Sequence, residues 1–206
     1  MDIVEISQLV LRERLSRDRG RWAQMGEAFH PGARVKVSWI DGTAEEFVAA
    51  SERMNGQGDV ATHRCAPPVV TLHGDRALVE MPAAVEMTGT LDGEEVHVVT
   101  DMQILYRVLR YPDGWAIDRL DCIYERDTMS ATATGLRTSV DLGTRQSFRA
   151  PYRNLAYYLS RKGYQISDEL FGIDRPDQVQ QLFDAATAWV HAAPPAPAVP
   201  THTTER

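Results

Sequence analysis

The sequence predicts an α+β fold in which a curved antiparallel sheet wraps around amino-terminal helices. Two observations carry this prediction. Residues 1–54 show the periodicity of amphipathic helices, interrupted by one strand, and residues 69–125 contain four strand-like runs separated by turn residues. Helices followed by a meander of long strands are typical of α+β proteins rather than of alternating parallel folds.

The first helix is predicted from apolar residues that recur at helical spacing. These residues are Ile3, Ile6, Leu9, Val10 and Leu15. Gly20 interrupts the pattern, and a short helical segment over residues 21–29 ends at His30-Pro31-Gly32. Residues 34–39 then alternate as in a strand.

A third helix is predicted over residues 44–54, with Thr43 as its N-cap. Residues 59–65 hold His63 and lead into the meander. Its four strands are predicted over residues 69–73, 76–91, 94–110 and 115–125. Residues 1–127 therefore form one predicted domain.

The carboxyl-terminal third is predicted to be an extension. Residues 128–147 are rich in small residues, which indicates a linker or a loop over a cavity. Helices are predicted over residues 151–163 and 175–191, the second capped by Asp174 with Pro176 in its first turn. Residues 128–191 thus form a predicted linker and helical extension that packs on the first domain or on a partner subunit. The proline-rich residues 192–206 are predicted to be a disordered tail.

The composition narrows the classes of function. A net charge of −7 disfavours a general nucleic-acid surface, and two cysteines are too few for a disulfide framework. We find neither a signal peptide nor a run of about 18 apolar residues, so the prediction is a cytoplasmic protein without a membrane partner. Histidine pairs at metal-ligand spacing, glycine-rich nucleotide loops and a Gly-x-Ser-x-Gly elbow are also missing, so neither a metal nor a cofactor is predicted.

Three stretches carry a resemblance to a known family. Asp18-Arg19-Gly20-Arg21-Trp22 is followed by Phe29-His30-Pro31-Gly32-Ala33, and Asp113-Gly114-Trp115-Ala116-Ile117 comes later in the chain. Together they resemble the SnoaL-like, nuclear transport factor two-like superfamily over residues 1–127, although Gly32 replaces the usual acidic residue. The resemblance implies a cone-shaped fold but leaves the reaction open, because one fold hosts many functions.

The resemblance to scytalone dehydratase-like and hexachlorocyclohexane dehydrochlorinase-like members implies a catalytic pair of His63 and Asp18. An imidazole can remove and return a proton at neutral pH, and a carboxylate on its other nitrogen fixes the tautomer. On spacing alone a structural role for both residues is the more common outcome, and the resemblance shifts the balance towards catalysis.

The predicted sheet supplies candidate walls for a substrate pocket, although the sequence leaves open which face looks inward. Either Arg119 or Asp101 is a candidate polar group for an oxyanion or a leaving hydroxyl. The tyrosine-rich segment 152–164 is a candidate lid or dimer contact. The candidate substrate-binding residues are Trp39, His97, Met102, Tyr106, Arg119 and Tyr124.

The predicted function is a cofactor-independent lyase or isomerase that acts on a small, apolar, hydroxylated substrate of aromatic or polycyclic kind. Dehydration and retro-aldol cleavage are the reactions considered. A non-catalytic ligand-binding or assembly module and a polyketide cyclase-like or epoxide hydrolase-like enzyme remain alternatives. A homodimer or higher homo-oligomer is predicted.

Overall fold

The computed structural model describes residues 1–91, 93–132 and 140–192. Its helices are α1 Asp2–Asp18, α2 Trp22–Glu27, α3 Ala44–Gly56, α4 Leu142–Ser147, α5 Arg153–Arg161 and α6 Pro176–His191. Its strands are β1 Phe29–Val37, β2 Ile40–Thr43, β3 Ala61–Cys65, β4 Val69–His73, β5 Arg76–Leu91, β6 Glu94–Tyr111, β7 Gly114–Ala131 and β8 Phe171–Gly172. The predicted α+β class is confirmed.

One curved sheet holds the described strands in the order β2-β1-β7-β6-β5-β3, with β4 also on β5 and β8 also on β7. The four meander strands β4 to β7 pair antiparallel as predicted, whereas β7 also pairs in parallel with β1 and with β8. A long connection separates β1 from β7, so no hairpin imposes an antiparallel direction. Register shifts in the β6–β7 pairing, at Asp101/Met102 and Arg107/Val108, mark bulges that bend the long strands.

The alternation of β6 shows which face of the sheet looks inward. One face is buried along the strand and consists of Val96, Val98, Thr100, Met102, Ile104 and Tyr106. The opposite face is partly exposed except at Leu105. Leu105 is buried because Leu182, Ala186 and Val190 of α6 pack against it. The concave face therefore encloses the main core, and α6 covers part of the convex face.

Helix α1 buries a different face from the one predicted. Ile6 and Val10 are buried as expected, but Ile3 is 54% exposed and Leu15 is 47% exposed. The buried stripe continues at helical spacing through Glu13, Arg14 and Arg17. The end of α1 thus carries ionised side chains into the interior of the cone.

Helix α3 begins at the predicted cap. The Thr43 hydroxyl accepts a hydrogen bond from the Glu46 amide at 3.2 Å, and the Glu46 carboxylate accepts one from the Thr43 amide at 2.8 Å. This reciprocal capping box satisfies two amides that otherwise lack helical partners.

Thr43→Ala is expected to lower the free energy of unfolding by about 1 kcal/mol, because the Glu46 amide loses its acceptor. Urea denaturation of the wild type and of the variant measures this difference. Thr43→Ser keeps the hydroxyl and is the matched control. Equal midpoints for the alanine variant and the wild type would contradict the capping role.

The carboxyl-terminal elements differ from the prediction at three points. Strand β7 continues to Ala131, and α4 occupies part of the predicted linker. The proposed Asp174 cap is wrong, since α6 has Arg175 at its N-cap without a side-chain cap. The Asp174 carboxylate instead accepts hydrogen bonds from Arg149 at 2.5 and 2.9 Å, and an ionised partner holds it more strongly than an amide does. Most of the predicted tail, residues 193–206, lies outside the described residues.

None of the helices in the described ranges is long and apolar enough to cross a membrane.

Candidate active site

His63 and Asp18 meet inside the cone through two hydrogen bonds. Asp18 is the last residue of α1, and His63 lies on β3, opposite Val85 of β5. The His63 ring nitrogen Nδ1 is 2.6 Å from Asp18 Oδ1, and the His63 backbone amide donates to Asp18 Oδ2 at 2.7 Å. The two side chains are only 5% and 10% exposed. Both oxygens of one carboxylate therefore hold one histidine.

This arrangement selects the tautomer of His63. An ionised carboxylate accepts hydrogen bonds and donates none, so the ring hydrogen lies on Nδ1. Within the described part of the chain, Nε2 has no hydrogen-bond partner. Since His63 lines a cavity, the free lone pair of Nε2 is available to a group bound there.

The ionisation of the pair favours a neutral imidazole beside a carboxylate. Burial lowers the pKa of His63 to about 4, with further lowering by the charges of Arg14 and Arg17, and these effects outweigh the opposing effect of the hydrogen bond that His63 donates to Asp18. Burial acts to raise the pKa of Asp18, but its hydrogen bonds to His63 outweigh burial, so the pKa is lowered. At neutral pH His63 is in the form that accepts a proton.

The cavity beside His63 is small and mostly apolar. Its free space measures about 40 Å³. This is room for a few water molecules, whereas an engineered apolar cavity known to bind benzene measures about 150 Å³. An aromatic ligand therefore requires side chains or a helix to move. The lining residues are Arg14, Arg17, Val37, Ser38, Trp39, Phe47, Met54, Ala61, His63, Val85, Met87, Met102, Cys122, Tyr124, Leu155 and Leu159.

A buried ionic group next to the pair was not predicted from the sequence. Arg14 donates from Nε to Glu13 Oε2 at 2.5 Å, and its Nη2 bonds Glu13 Oε1. Arg17 lines the same cavity. The available signal was the spacing of Glu13, Arg14 and Arg17, which extends the apolar stripe of Ile6 and Val10 by two turns.

Three of the six candidate substrate-binding residues lie on the cavity wall. These are Trp39, Met102 and Tyr124, and the Tyr124 hydroxyl accepts a hydrogen bond from the Ser38 amide at 2.8 Å. Tyr106 is buried on the same face of β6, and its hydroxyl points to Glu13 at 3.4 Å. Tyr106 is not part of the wall itself.

The other candidates lie outside the cavity wall. Arg119 donates two hydrogen bonds to Asp121, at 2.6 and 2.9 Å, and His97 Nε2 is 3.8 Å from Glu86. Asp101, the alternative polar group, is bonded to Arg126 at 2.6 Å. Strand alternation explains the placement of His97 and Asp101, because the interior face of β6 carries its even-numbered residues.

Helix α5 closes one side of the cavity, within the segment proposed as a lid. Leu155 and Leu159 contribute to the wall, while Tyr157 and Tyr158 are buried elsewhere. The Asp127 carboxylate of β7 anchors the helix by accepting hydrogen bonds from the Leu155 amide at 2.8 Å and from the Asn154 side chain at 2.7 Å. The position of α5 therefore controls the room beside His63.

Among the residues that the structure describes, no three His, Cys, Asp or Glu side chains are grouped as ligands of a metal ion.

The fold, a curved sheet around amino-terminal helices, is also that of a solved nuclear transport factor two-like protein from Streptomyces avermitilis, with a TM-score of 0.50, 14% identity and coverage of 59% of this chain and 94% of that one. Residues 1–121 match the model of the SnoaL-like domain. The chain belongs to the SnoaL-like domain family, which confirms the resemblance predicted from the sequence.

Individual relatives are distant. The chain is 26% identical to pea pathogenicity protein 2 of Fusarium vanettenii over 165 residues, which cover 76% of this chain and 71% of that protein. A type 2 hexachlorocyclohexane dehydrochlorinase has a similar structure, with a TM-score of 0.55, 9% identity and coverage of 66% of this chain and 93% of that one. A proposed scytalone dehydratase from Novosphingobium aromaticivorans gives a TM-score of 0.51, 13% identity and coverage of 68% and 95%. At these identities the two structures show a common fold.

Proposed function

We propose that the protein is a cofactor-independent lyase or isomerase in which His63 is the general base and Asp18 is its positioning residue. The proposal rests above all on the 2.6 Å contact between His63 Nδ1 and Asp18 Oδ1. That contact leaves Nε2 as the proton acceptor on the cavity wall. The buried carboxylate stabilises the imidazolium that forms when a proton is taken.

The proposed reaction removes a proton from a carbon or hydroxyl group of a small, mostly apolar substrate. Nε2 takes the proton, and the electron pair of the broken bond forms a double bond. When the proton comes from carbon, either the neighbouring hydroxyl group leaves as water with the proton that His63 returns, or an existing double bond migrates and His63 returns the proton to another carbon. When the proton comes from a hydroxyl group, the new double bond is a carbonyl, the adjacent carbon–carbon bond breaks, and the released carbon takes the proton from His63. The apolar walls keep water from the intermediate. The two similar solved structures bear the names of elimination enzymes, so elimination is the first reaction to test.

The test compares His63→Gln with the wild type on a panel of hydroxylated aromatic and polyketide-like compounds. Product formation and deuterium uptake from heavy water are followed together by NMR. We expect turnover in the wild type and a loss of about 10²- to 10⁴-fold in His63→Gln, the usual contribution of a positioned acid-base group. His73→Gln, which changes an exposed histidine outside the cavity wall, is the matched control.

Persistent turnover in folded His63→Gln would show that the base is a different residue. Product analysis separates the related reactions, because retro-aldol cleavage releases a carbon fragment and dehydration releases only water.

A non-catalytic binding module is the second candidate, and one observation favours it. The cavity retains only about 40 Å³ because large side chains, among them Trp39 and Phe47, occupy its wall. Such a module would bind compounds from the panel without converting them or exchanging their protons. Binding without turnover in the same experiment would therefore select this candidate.

A further inference from the structure

Arg17 is a buried cation whose hydrogen-bonding groups are largely unused. The residue is 8% exposed and lines the cavity beside His63. Its guanidinium carries five N–H groups. Within the described chain, Nη2 donates a hydrogen bond to the Met54 sulfur at 3.6 Å. A thioether is a weak acceptor. Burial of a guanidinium with so little compensation is unfavourable unless another acceptor binds.

The nearby carboxylates are already engaged by other groups. Glu13 holds Arg14 through both oxygens, and Asp18 holds the ring and the backbone amide of His63. Neither lies within ion-pairing distance of Arg17 in the described structure. Arg17 is therefore the arginine of the wall that still lacks an oxygen acceptor.

The pKa values of the two arginines reflect this difference. Burial acts to lower the pKa of Arg14, but the adjacent Glu13 carboxylate reverses the effect and the pKa is raised. For Arg17, burial and the charge of Arg14 lower the pKa to about 10 despite the opposing charges of Asp18 and Glu13. Arg17 remains charged at neutral pH, with its charge incompletely compensated.

We propose that Arg17 forms an anion subsite in the cavity, so that the ligand carries a carboxylate on an otherwise apolar body. A planar guanidinium matches a carboxylate through two parallel hydrogen bonds. The free space of about 40 Å³ holds a carboxylate group without a large rearrangement. The apolar wall contacts the rest of the ligand once α5 moves outward.

The anion subsite deepens the proposed function, and it rests on that function only for the claim that the bound anion is a substrate. A carboxylate at Arg17 would lie in the same cavity as Nε2 of His63. In such a ligand, the group that gives its proton to His63 would lie close to the carboxylate that Arg17 binds. Binding of the anion itself does not require His63 to act as a base.

Isothermal titration calorimetry at constant ionic strength tests the subsite with acetate and benzoate, each compared with its neutral amide. We expect the wild type to bind each carboxylate at least tenfold more tightly than acetamide or benzamide. Arg17→Met, which keeps much of the side-chain length without the charge, is expected to lose this preference. Arg19→Gln, which changes an exposed arginine just after α1, is the matched control and is expected to keep it.

Equal affinity for carboxylate and amide in the wild type, or no carboxylate binding at all, would overturn the anion subsite. Retention of the preference in Arg17→Met would overturn the assignment to Arg17. Should Arg17→Met not fold, the wild-type preference is tested by NMR of His63, whose pKa should rise when the anion neutralises Arg17. His63→Gln separates the two proposals, because it should bind benzoate even where turnover is lost.

Discussion

Asp18→Asn is expected to reduce turnover by about 10³- to 10⁴-fold while leaving the fold intact, by analogy with the loss measured when a histidine-orienting aspartate of a serine protease becomes asparagine. The asparagine oxygen can still accept from the His63 amide that now bonds Asp18 Oδ2. Its NH₂ group then faces His63 Nδ1 and donates to it. The ring hydrogen moves to Nε2, and the cavity faces a donor instead of a base.

The tautomer can be measured without a known substrate. In protein labelled with ¹⁵N at histidine, the shifts of His63 are expected to report Nδ1–H in the wild type and Nε2–H in Asp18→Asn. Asp41→Asn changes an exposed carboxylate paired with Arg34 and is the control. An unchanged tautomer in Asp18→Asn, or full turnover with the tautomer reversed, would contradict the positioning role of Asp18.

Falling pH is expected to destabilise the folded protein through His63, and the effect begins at pH values well above the pKa of His63 in the folded state. The folded pKa is about 4 and the ordinary value is 6.5, so between these values the unfolded chain binds more protons. Stability contributed by neutral His63 is present above pH 6.5 and is lost as the pH falls towards 4. The difference corresponds to roughly 3 kcal/mol over this window.

Urea denaturation at pH values from 7.5 to about 4.5 measures this dependence, with the pH range chosen to span the two pKa values. His63→Gln lacks the titrating ring and is expected to show a shallower slope, while His73→Gln should follow the wild type. A parallel slope in His63→Gln would show that His63 titrates near its ordinary pKa. For any substrate found, kcat/KM should persist to pH 5 in the wild type, since the base stays neutral there.

The predicted fold class follows from patterns that are local in sequence. The meander strands and the Thr43 cap were predicted because alternation and capping depend on neighbouring residues. The Asp174 cap was mispredicted because Arg149, 25 residues away, offers that carboxylate a charged partner. The parallel pairing of β1 with β7 likewise depends on an encounter between distant segments.

The candidate site also has features that were predicted from the sequence and features that only the structure shows. His63 and Asp18 were predicted by resemblance, and the tertiary structure brings their side chains to 2.6 Å. The buried charges of α1 were not predicted, because helical spacing alone shows which residues share a face and not which face is buried. The tertiary structure makes Arg17 a buried cation on the cavity wall.

The sequence by itself determined the class of fold and the order of most helices and strands, because local periodicity encodes them. Its resemblance to a known family, and not its periodicity, supplied the two residues of the proposed acid-base pair. Only the tertiary structure decided which face of β6 is concave, how little room remains beside His63 and which charges surround it. These properties arise where segments far apart in the chain pack together, so their physical cause is long-range contact and burial rather than any local pattern.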